Sequence, residues 1–255
     1  MNQDPVIVRQ QTDEIAVCIL NRPEKRNALS ILLMQQLCRN IERILNDGKT
    51  RVLVLRGEGS VFCSGLDIAE VLDPILGVES AAMMRRCLLT LYQAPVVTLA
   101  MVQGAAIGGG AGLAASCDFV VADNDSVIGF PEVRRGLVPA QVMGVLVRRL
   151  NRADVREILL SGESIGAGRA LQMGLFTRIG DVEAEANSIL SQVLRGAPGA
   201  ISRTKRLLDL LDSRRMEDDL EECMRWYLQA REAREAQEGN SAFLQKREPS
   251  WHSKP

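Results

Sequence analysis

Three short segments carry the residue types from which a reaction centre can be built. Gly108-Gly109-Gly110 follows an apolar stretch, Pro95 to Val102, and opens into the small-residue run Ala111 to Ser116. A helix that begins on bare glycines presents main-chain N–H groups without intrahelical partners, with the positive end of its dipole behind them. Such a place holds negative charge: a phosphate, a carboxylate, or an oxyanion that develops during a reaction. The second segment is FCSGLDI, Phe62 to Ile68. The third, FPEVRRG, Phe130 to Gly136, sets Glu132 behind a proline in an apolar setting. Burial there raises a carboxyl pKa toward neutrality, where the group can both accept and donate a proton.

Other chemistries find less support. The one histidine, His252, is the fourth residue from the C-terminal end, in a polar tail. Ser-His-Asp and Cys-His mechanisms need a positioned imidazole, and HExxH zinc sites need two. The six cysteines (Cys18, Cys38, Cys63, Cys87, Cys117 and Cys223) never form a CxxC pair, and several lie in apolar runs as small hydrophobes. No metal site is expected, and reduced thiols fit a cytoplasmic protein. Gly110 to Ala115 matches the dinucleotide pattern GxGxxA, but seven residues, Gln103 to Gly109, separate it from the end of the preceding strand, where that fingerprint requires a tight turn. Carboxylates and backbone amides are left to carry the chemistry.

The elements that must position these residues are legible in outline. The chain has 255 residues, 46% hydrophobic and 25% charged, with a net charge of −1. That balance suits a globular protein with a sizeable core, and no global field draws it to nucleic acid or an acidic membrane. No leader segment and no membrane span are expected. EIAVCIL, RVLVLRG, PVVTLAMV, DFVVAD and SVIGF read as strands. Met34, Leu37, Ile41, Ile44 and Leu45 recur at helical spacing before Gly48, and a second helix is expected from about Glu79 to Gln93. From about Val138 helices dominate, and after about Asp181 the pattern is wholly helical, with a seam at Leu220, Met224, Tyr227 and Leu228. The layout is an α/β core with a helical C-terminal region, and a helical seam exposed at a chain end often meets another subunit.

Six segments in order, NRPEKRNAL (Asn21 to Leu29), FCSGLDI, VQGAAIGGGAGLAASCDFVVA (Val102 to Ala122), FPEVRRGLVPA (Phe130 to Ala140), SGESIGAGRALQMGL (Ser161 to Leu175) and AFLQKREPSW (Ala242 to Trp251), resemble the crotonase superfamily of enoyl-CoA hydratases and isomerases. The resemblance runs through most of the chain. It implies a spiral of repeated ββα units, with the acyl-CoA site in a core spanning 1–190 and a helical oligomerisation region over 191–255. A homotrimer or a hexamer built as a dimer of trimers is implied with it. The amides of Leu66 and Gly109 would form a thioester oxyanion hole, and Glu132 would be the acid–base group. The carbonyls of Ala28 and Ile68 would meet the adenine amine of coenzyme A, with Lys25 or Arg26 near its phosphates. Phe243 and Lys246 would reach a neighbour's ligand. Coenzyme A enters as part of the substrate, so no separate cofactor is implied. Asp67 reads as a cap on the following helix.

One position departs from the family pattern. Many hydratases of the superfamily carry a second glutamate in the glycine-led helix, where this chain has Gly112. Hydration of a 2-enoyl-CoA and isomerisation between the 3 and 2 positions both remain open with one carboxylate; a non-catalytic acyl-CoA-binding or RNA-associated relative is a third class. EVRRGLVPA together with GGGAGLAASCD is similar to bacterial hydratases of branched glutaconyl-CoA esters, of the isohexenylglutaconyl or methylglutaconyl type, which act in leucine and acyclic-terpene breakdown. Such substrates carry a second carboxylate, which Arg134 or Arg135 could clamp.

Overall fold

The apolar runs Ile15–Leu20, Val52–Gly57, Val97–Val102 and Phe119–Ala122 form the centre of one sheet. In the computed structural model, which describes residues 4–211 and 215–251, the elements run in the order β1 (Val6–Thr12), β2 (Ile15–Leu20), α1 (Ile31–Asn46), β3 (Val52–Gly57), α2 (Ile68–Leu72), α3 (Leu76–Tyr92), β4 (Val97–Val102) and β5 (Ala105–Ile107). They continue with α4 (Gly109–Ala115), β6 (Phe119–Ala122), β7 (Val127–Gly129), α5 (Ala140–Arg149), α6 (Arg152–Ser161), β8 (Ser164–Gly166), α7 (Ala167–Met173) and β9 (Arg178–Ile179). Four helices close the chain: α8 (Val182–Val193), α9 (Pro198–Leu211), α10 (Met216–Arg231) and α11 (Arg234–Leu244). His252 lies outside the described residues.

The larger sheet has six strands in the order β1-β2-β3-β4-β6-β9. Only β1 is antiparallel to its neighbour; the rest pair in parallel, with Ile15 opposite Val52 and Val52 opposite Val97. Parallel strands are covered on both faces, which is why these runs are apolar without alternation. Ala16, Cys18, Leu20, Leu53, Leu55, Ala100 and Val102 point into a core shared with α1, α3 and α4. The intervening residues, among them Ile15, Val17, Val52, Val54 and Leu99, meet Ala186, Ile189 and Leu190 of α8. A second sheet, β5-β7-β8, carries the segments around the glycine run.

Helix α1 follows the expected seam: Met34, Leu37, Ile41 and Ile44 are buried. The Ser30 hydroxyl accepts from the Leu33 amide at its start, and Gly48, at φ +72°, lies just past its end. Burying each such side chain contributes about 1.5–3 kcal/mol.

The expected division after residue 190 falls inside α8, and the helices beyond it pack onto the core. Helix α10 lies against α3 and α5, burying Leu220 and Tyr227. Arg231 near its end donates to the carbonyls of Val71 (2.8 Å) and Asp73 (3.1 Å), tying it to the α2–α3 connection. Helix α11 crosses the 3₁₀ turn Pro131–Arg135 almost backbone to backbone, at Gly136 and Gly239. Among the described residues no helix is long and apolar enough to cross a membrane.

Candidate active site

Three strands of chain run side by side to make one wall of a cleft. The Ser64 amide donates to the Arg26 carbonyl (3.0 Å), the Leu29 amide to Gly65 (2.8 Å), and the Asp67 amide to Leu29 (3.0 Å). Regular extended chain would turn the amides of residues 64 and 66 to the same side. Here 64 and 67 face that side, because Gly65 at φ +98° shifts the phase by one residue. The Leu66 N–H is thereby turned away from the 26–29 segment and has no backbone partner among the described residues. On the other flank, Phe62 and Cys63 pair with Gln103, Ala105 and Ile107.

The glycine run completes this wall. Gly108 adopts φ +53°, ψ −119°, a conformation that disfavours a Cβ, and Gly109 is the first residue of α4. The Gly109 amide therefore has no intrahelical acceptor. A Cβ on Gly65 would sit 3.8 Å from that nitrogen, so the Leu66 and Gly109 amides belong to adjacent segments. Both residues line the cleft, with Ser64, Ile68, Val71, Glu132, Arg135, Gln141, Val142 and Tyr227 also present in its wall. Because α4 is only seven residues long, the individual N–H groups matter more here than a macrodipole.

Glu132 enters from the 3₁₀ turn Pro131–Arg135. Its Oε2 is closed off from solvent and has no hydrogen-bond partner among the described residues. A Cβ on Gly108 would approach its Oε1 to 3.2 Å, so the bare glycine leaves the space the carboxyl borders. Burial raises its pKa from 4.5 to about 7, against the opposing effects of its own backbone N–H and the Arg135 guanidinium.

The same turn separates the two arginines. A 3₁₀ helix has three residues per turn, so positions i and i+3 eclipse. Arg135 therefore shares the face of Glu132 and lines the cleft. Its guanidinium lies 4.1 Å from the centre of the Phe243 ring, and it forms no ion pair with a carboxylate among the described residues. Arg134 points elsewhere: it donates to the Ser161 carbonyl (3.2 Å), pairs with Glu163, and is half exposed.

The remaining expected contacts distribute as follows. Ile68 opens α2 at the cleft wall. The Ala28 carbonyl already accepts from Arg22 Nη1 (2.7 Å) and from the Ser30 amide (3.1 Å). Lys25 and Arg26 are exposed on a turn held by Ser64 at the edge of the cleft. Asp67 caps α2 by accepting from the Ala69 amide (3.3 Å) and pairs with Arg22 (3.1 Å). Phe243, half exposed, lies against Arg135 of its own chain; Lys246, exposed, follows the end of α11 in a left-handed conformation.

Position 112 is filled by its surroundings. A Cβ there would meet Val142 Cγ1 at 2.7 Å, Leu88 Cδ2 at 3.4 Å and Met84 Cε at 3.5 Å. A second carboxylate at position 112 would require repacking of these side chains. Two site residues escaped the sequence reading. Tyr227, a member of the α10 seam, is 4% exposed yet borders the cleft. Asn27 is fully buried at φ +55° and organises the wall: its Oδ1 accepts from the Arg22 amide (2.9 Å), and its Nδ2 donates to Glu58 (2.9 Å) and Val61 (2.8 Å). An asparagine in a turn-forming stretch was the available signal.

A family model described as enoyl-CoA hydratase/isomerase matches residues 10–254. The 2,3-dehydroadipyl-CoA hydratase of Escherichia coli (strain K12) is 31% identical over 252 residues, covering 96% of this chain and 97% of that protein. The human mitochondrial enoyl-CoA hydratase domain-containing protein 3 is 31% identical, covering 96% of this chain and 83% of that one. Among solved structures, an enoyl-CoA hydratase from Mycobacterium avium superposes with a TM-score of 0.89 at 30% identity, covering 98% of this chain and 100% of the other. The expected α/β fold is thus the fold of these proteins.

Proposed function

The chain belongs to the enoyl-CoA hydratase/isomerase family, and on that premise we propose that it adds water to a 2-enoyl-CoA thioester whose acyl chain carries a second carboxylate, of the branched glutaconyl type. The observation that carries the finer part is Arg135. It is a cleft-lining guanidinium stacked on Phe243, beside Glu132, with no carboxylate paired to it among the described residues. Stacking on a ring leaves the N–H edge of a guanidinium open to a bidentate anion. The relative named for 2,3-dehydroadipyl-CoA, the thioester of a dicarboxylic acid, supports the same substrate class.

The chemistry follows from the cleft's own groups. Ionised Glu132 takes a proton from water as the water oxygen bonds to C3. The π electrons move to C2 and the thioester oxygen, where the amides of Leu66 and Gly109 hold the charge; each such donor contributes about 3 kcal/mol or more in comparable enzymes. The proton then passes from Glu132 to C2, which completes addition of one water and restores the carboxylate. The absence of a carboxylate at position 112 also suits isomerisation between positions 3 and 2, which needs one proton shuttle.

Coenzyme A would lie along the 25–29 and 64–68 segments, with Lys25 and Arg26 near its phosphates. Six unpaired cysteines suit a reducing, cytoplasmic compartment. The exposed Leu207, Leu208, Leu210 and Leu211 of α9 support assembly into a trimer or a dimer of trimers.

The test compares methylglutaconyl-type and straight neutral enoyl-CoA esters in ¹⁸O water. Label in the product marks hydration and its absence marks isomerisation. Hydration with a preference for the carboxylated ester is expected, and Arg135→Leu is expected to abolish that preference through KM, by roughly tenfold to a hundredfold for a lost charge-assisted contact. A wild-type preference for neutral esters would sink the carboxylate assignment.

A further inference from the structure

A single-carboxylate hydratase needs a second polar group to fix the attacking water, since one hydrogen bond leaves the water free to rotate away from C3. In this chain that group cannot come from α4, where Val142, Leu88 and Met84 occupy the space beside Gly112. The other polar side chains of the cleft are limited in number. Arg135, a donor only, is given to the second carboxylate of the substrate in the reading above. Gln141 is tethered to α3 by one N–H on the Ala81 carbonyl (3.1 Å), and the Ser64 hydroxyl donates to the Lys25 carbonyl (3.4 Å).

Tyr227 remains. Its ring packs on Ala81 of α3 and Ala140 of α5, which fixes the side chain from two helices. The residue is 4% exposed and borders the same cleft as Glu132, and its hydroxyl makes no hydrogen bond among the described residues. Glu132 Oε2 is a buried oxygen without a partner. A phenol from α10 and a carboxyl from the 3₁₀ turn thus border one cleft, and one can donate where the other accepts. Burial raises the phenol pKa, Arg231 lowers it, and the Glu132 charge raises it, so the hydroxyl keeps its proton and lies within electrostatic reach of the carboxylate.

Resting on the hydration reading above, we propose that the Tyr227 hydroxyl and Glu132 Oε2 together hold the attacking water, with Tyr227 as the positioning residue that takes the place of the missing second carboxylate. Tyrosine contributes no proton to the net reaction; Glu132 alone carries the proton from water to C2.

Tyr227→Phe removes one oxygen and keeps the ring, so packing against Ala81 and Ala140 is retained. Three measurements decide the matter: kcat and KM for hydration, binding of a saturated acyl-CoA, and exchange of the C2 hydrogen of that saturated ester in heavy water. Exchange requires Glu132 and the two amides but no water at C3. The expected result is a fall in kcat of roughly tenfold to a hundredfold, with KM, binding and exchange within twofold of wild type. Hydration within twofold of wild type overturns the assignment, as does a parallel fall of exchange and hydration, which marks a packing role. If the wild-type protein hydrates none of the thioesters, the hydratase reading itself fails; if it does and the variant matches it, only the role of Tyr227 fails.

Discussion

Replacing Glu132 with glutamine has two consequences that can be measured separately. In the folded protein the carboxyl titrates near 7, raised from 4.5 chiefly because burial disfavours its charge. Between these values the unfolded chain has already released the proton and the native state has not. The native state binds more protons, so stability falls as pH rises through this window and is level above it. The rise from 4.5 to about 7 is worth about 3 kcal/mol, at about 1.4 kcal/mol per pH unit. Glutamine does not titrate. The stability of Glu132→Gln relative to wild type is therefore expected to grow by about 3 kcal/mol between pH 4 and pH 8, an increase of roughly 6–12 °C in relative melting temperature for a chain of this size.

Urea denaturation of both proteins at several pH values measures this directly, and comparing the two cancels every other titrating group. Turnover is expected to move the other way, falling by roughly a hundredfold or more for a lost acid–base group, while acyl-CoA binding persists. A variant that loses activity and gains relative stability with pH marks a group whose burial serves catalysis at the expense of the fold. Parallel stability curves for the two proteins would refute the buried, proton-holding carboxyl, and turnover near wild type would remove Glu132 from the reaction.

Two further substitutions probe the frame around that group. Gly112→Glu adds atoms 2.7 Å from Val142 Cγ1; overpacking alone is expected to cost about 1–3 kcal/mol, and adding Val142→Ala is expected to recover part of the loss in thermal melts. Gain of straight-chain hydration in that double variant would show that a second carboxylate still fits this reaction. Asn27→Ala orphans the Arg22 amide and the Glu58 and Val61 carbonyls, with an expected cost of about 2–4 kcal/mol in urea denaturation and weaker acyl-CoA binding, because the 26–29 segment frames the cleft.

The sequence shows the centre of the fold well because parallel strands and amphipathic helices leave strong patterns. Ile15–Leu20, Val52–Gly57 and Val97–Val102 are apolar throughout, and the α1 seam recurs at helical spacing. The short strands Ala105–Ile107, Ser164–Gly166 and Arg178–Ile179 leave little trace, since two or three residues are too few for a period. Val6–Thr12 is an edge strand whose residues grow more exposed along its length. Leu66, Gly109 and Glu132, which the family resemblance singles out, lie in short motifs that the fold brings to one cleft. Tyr227 was not legible, since a tyrosine at seam spacing has the same sequence signature whether its hydroxyl meets core or cavity. Arg134 and Arg135 could be separated only by knowing that FPEVRRG is a 3₁₀ turn and not a loop or an α-helix; the period of three decides which one faces Glu132.

Under the proposed function, that eclipsed pair would also link substrate recognition to proton transfer. The Arg135 cation favours the ionised form of Glu132 and so holds its pKa below what burial alone would impose. A substrate carboxylate seated on Arg135 neutralises that cation, and the Glu132 pKa then rises. A proton acceptor with a higher pKa is a stronger base, so a carboxylated substrate would strengthen the base that activates the attacking water. The acid limb of kcat, which reports the bound enzyme, is therefore expected at higher pH with a carboxylated ester than with a neutral one. The limb of kcat/KM, which reports the free enzyme, is expected to lie near 7 and to be the same for both esters. In Arg135→Leu the free-enzyme limb should itself move to higher pH, and the difference between the two esters should vanish. Coincident limbs in the wild-type protein for both esters would mean that substrate charge never reaches Arg135, and recognition of the second carboxylate would have to be sought elsewhere in the cleft.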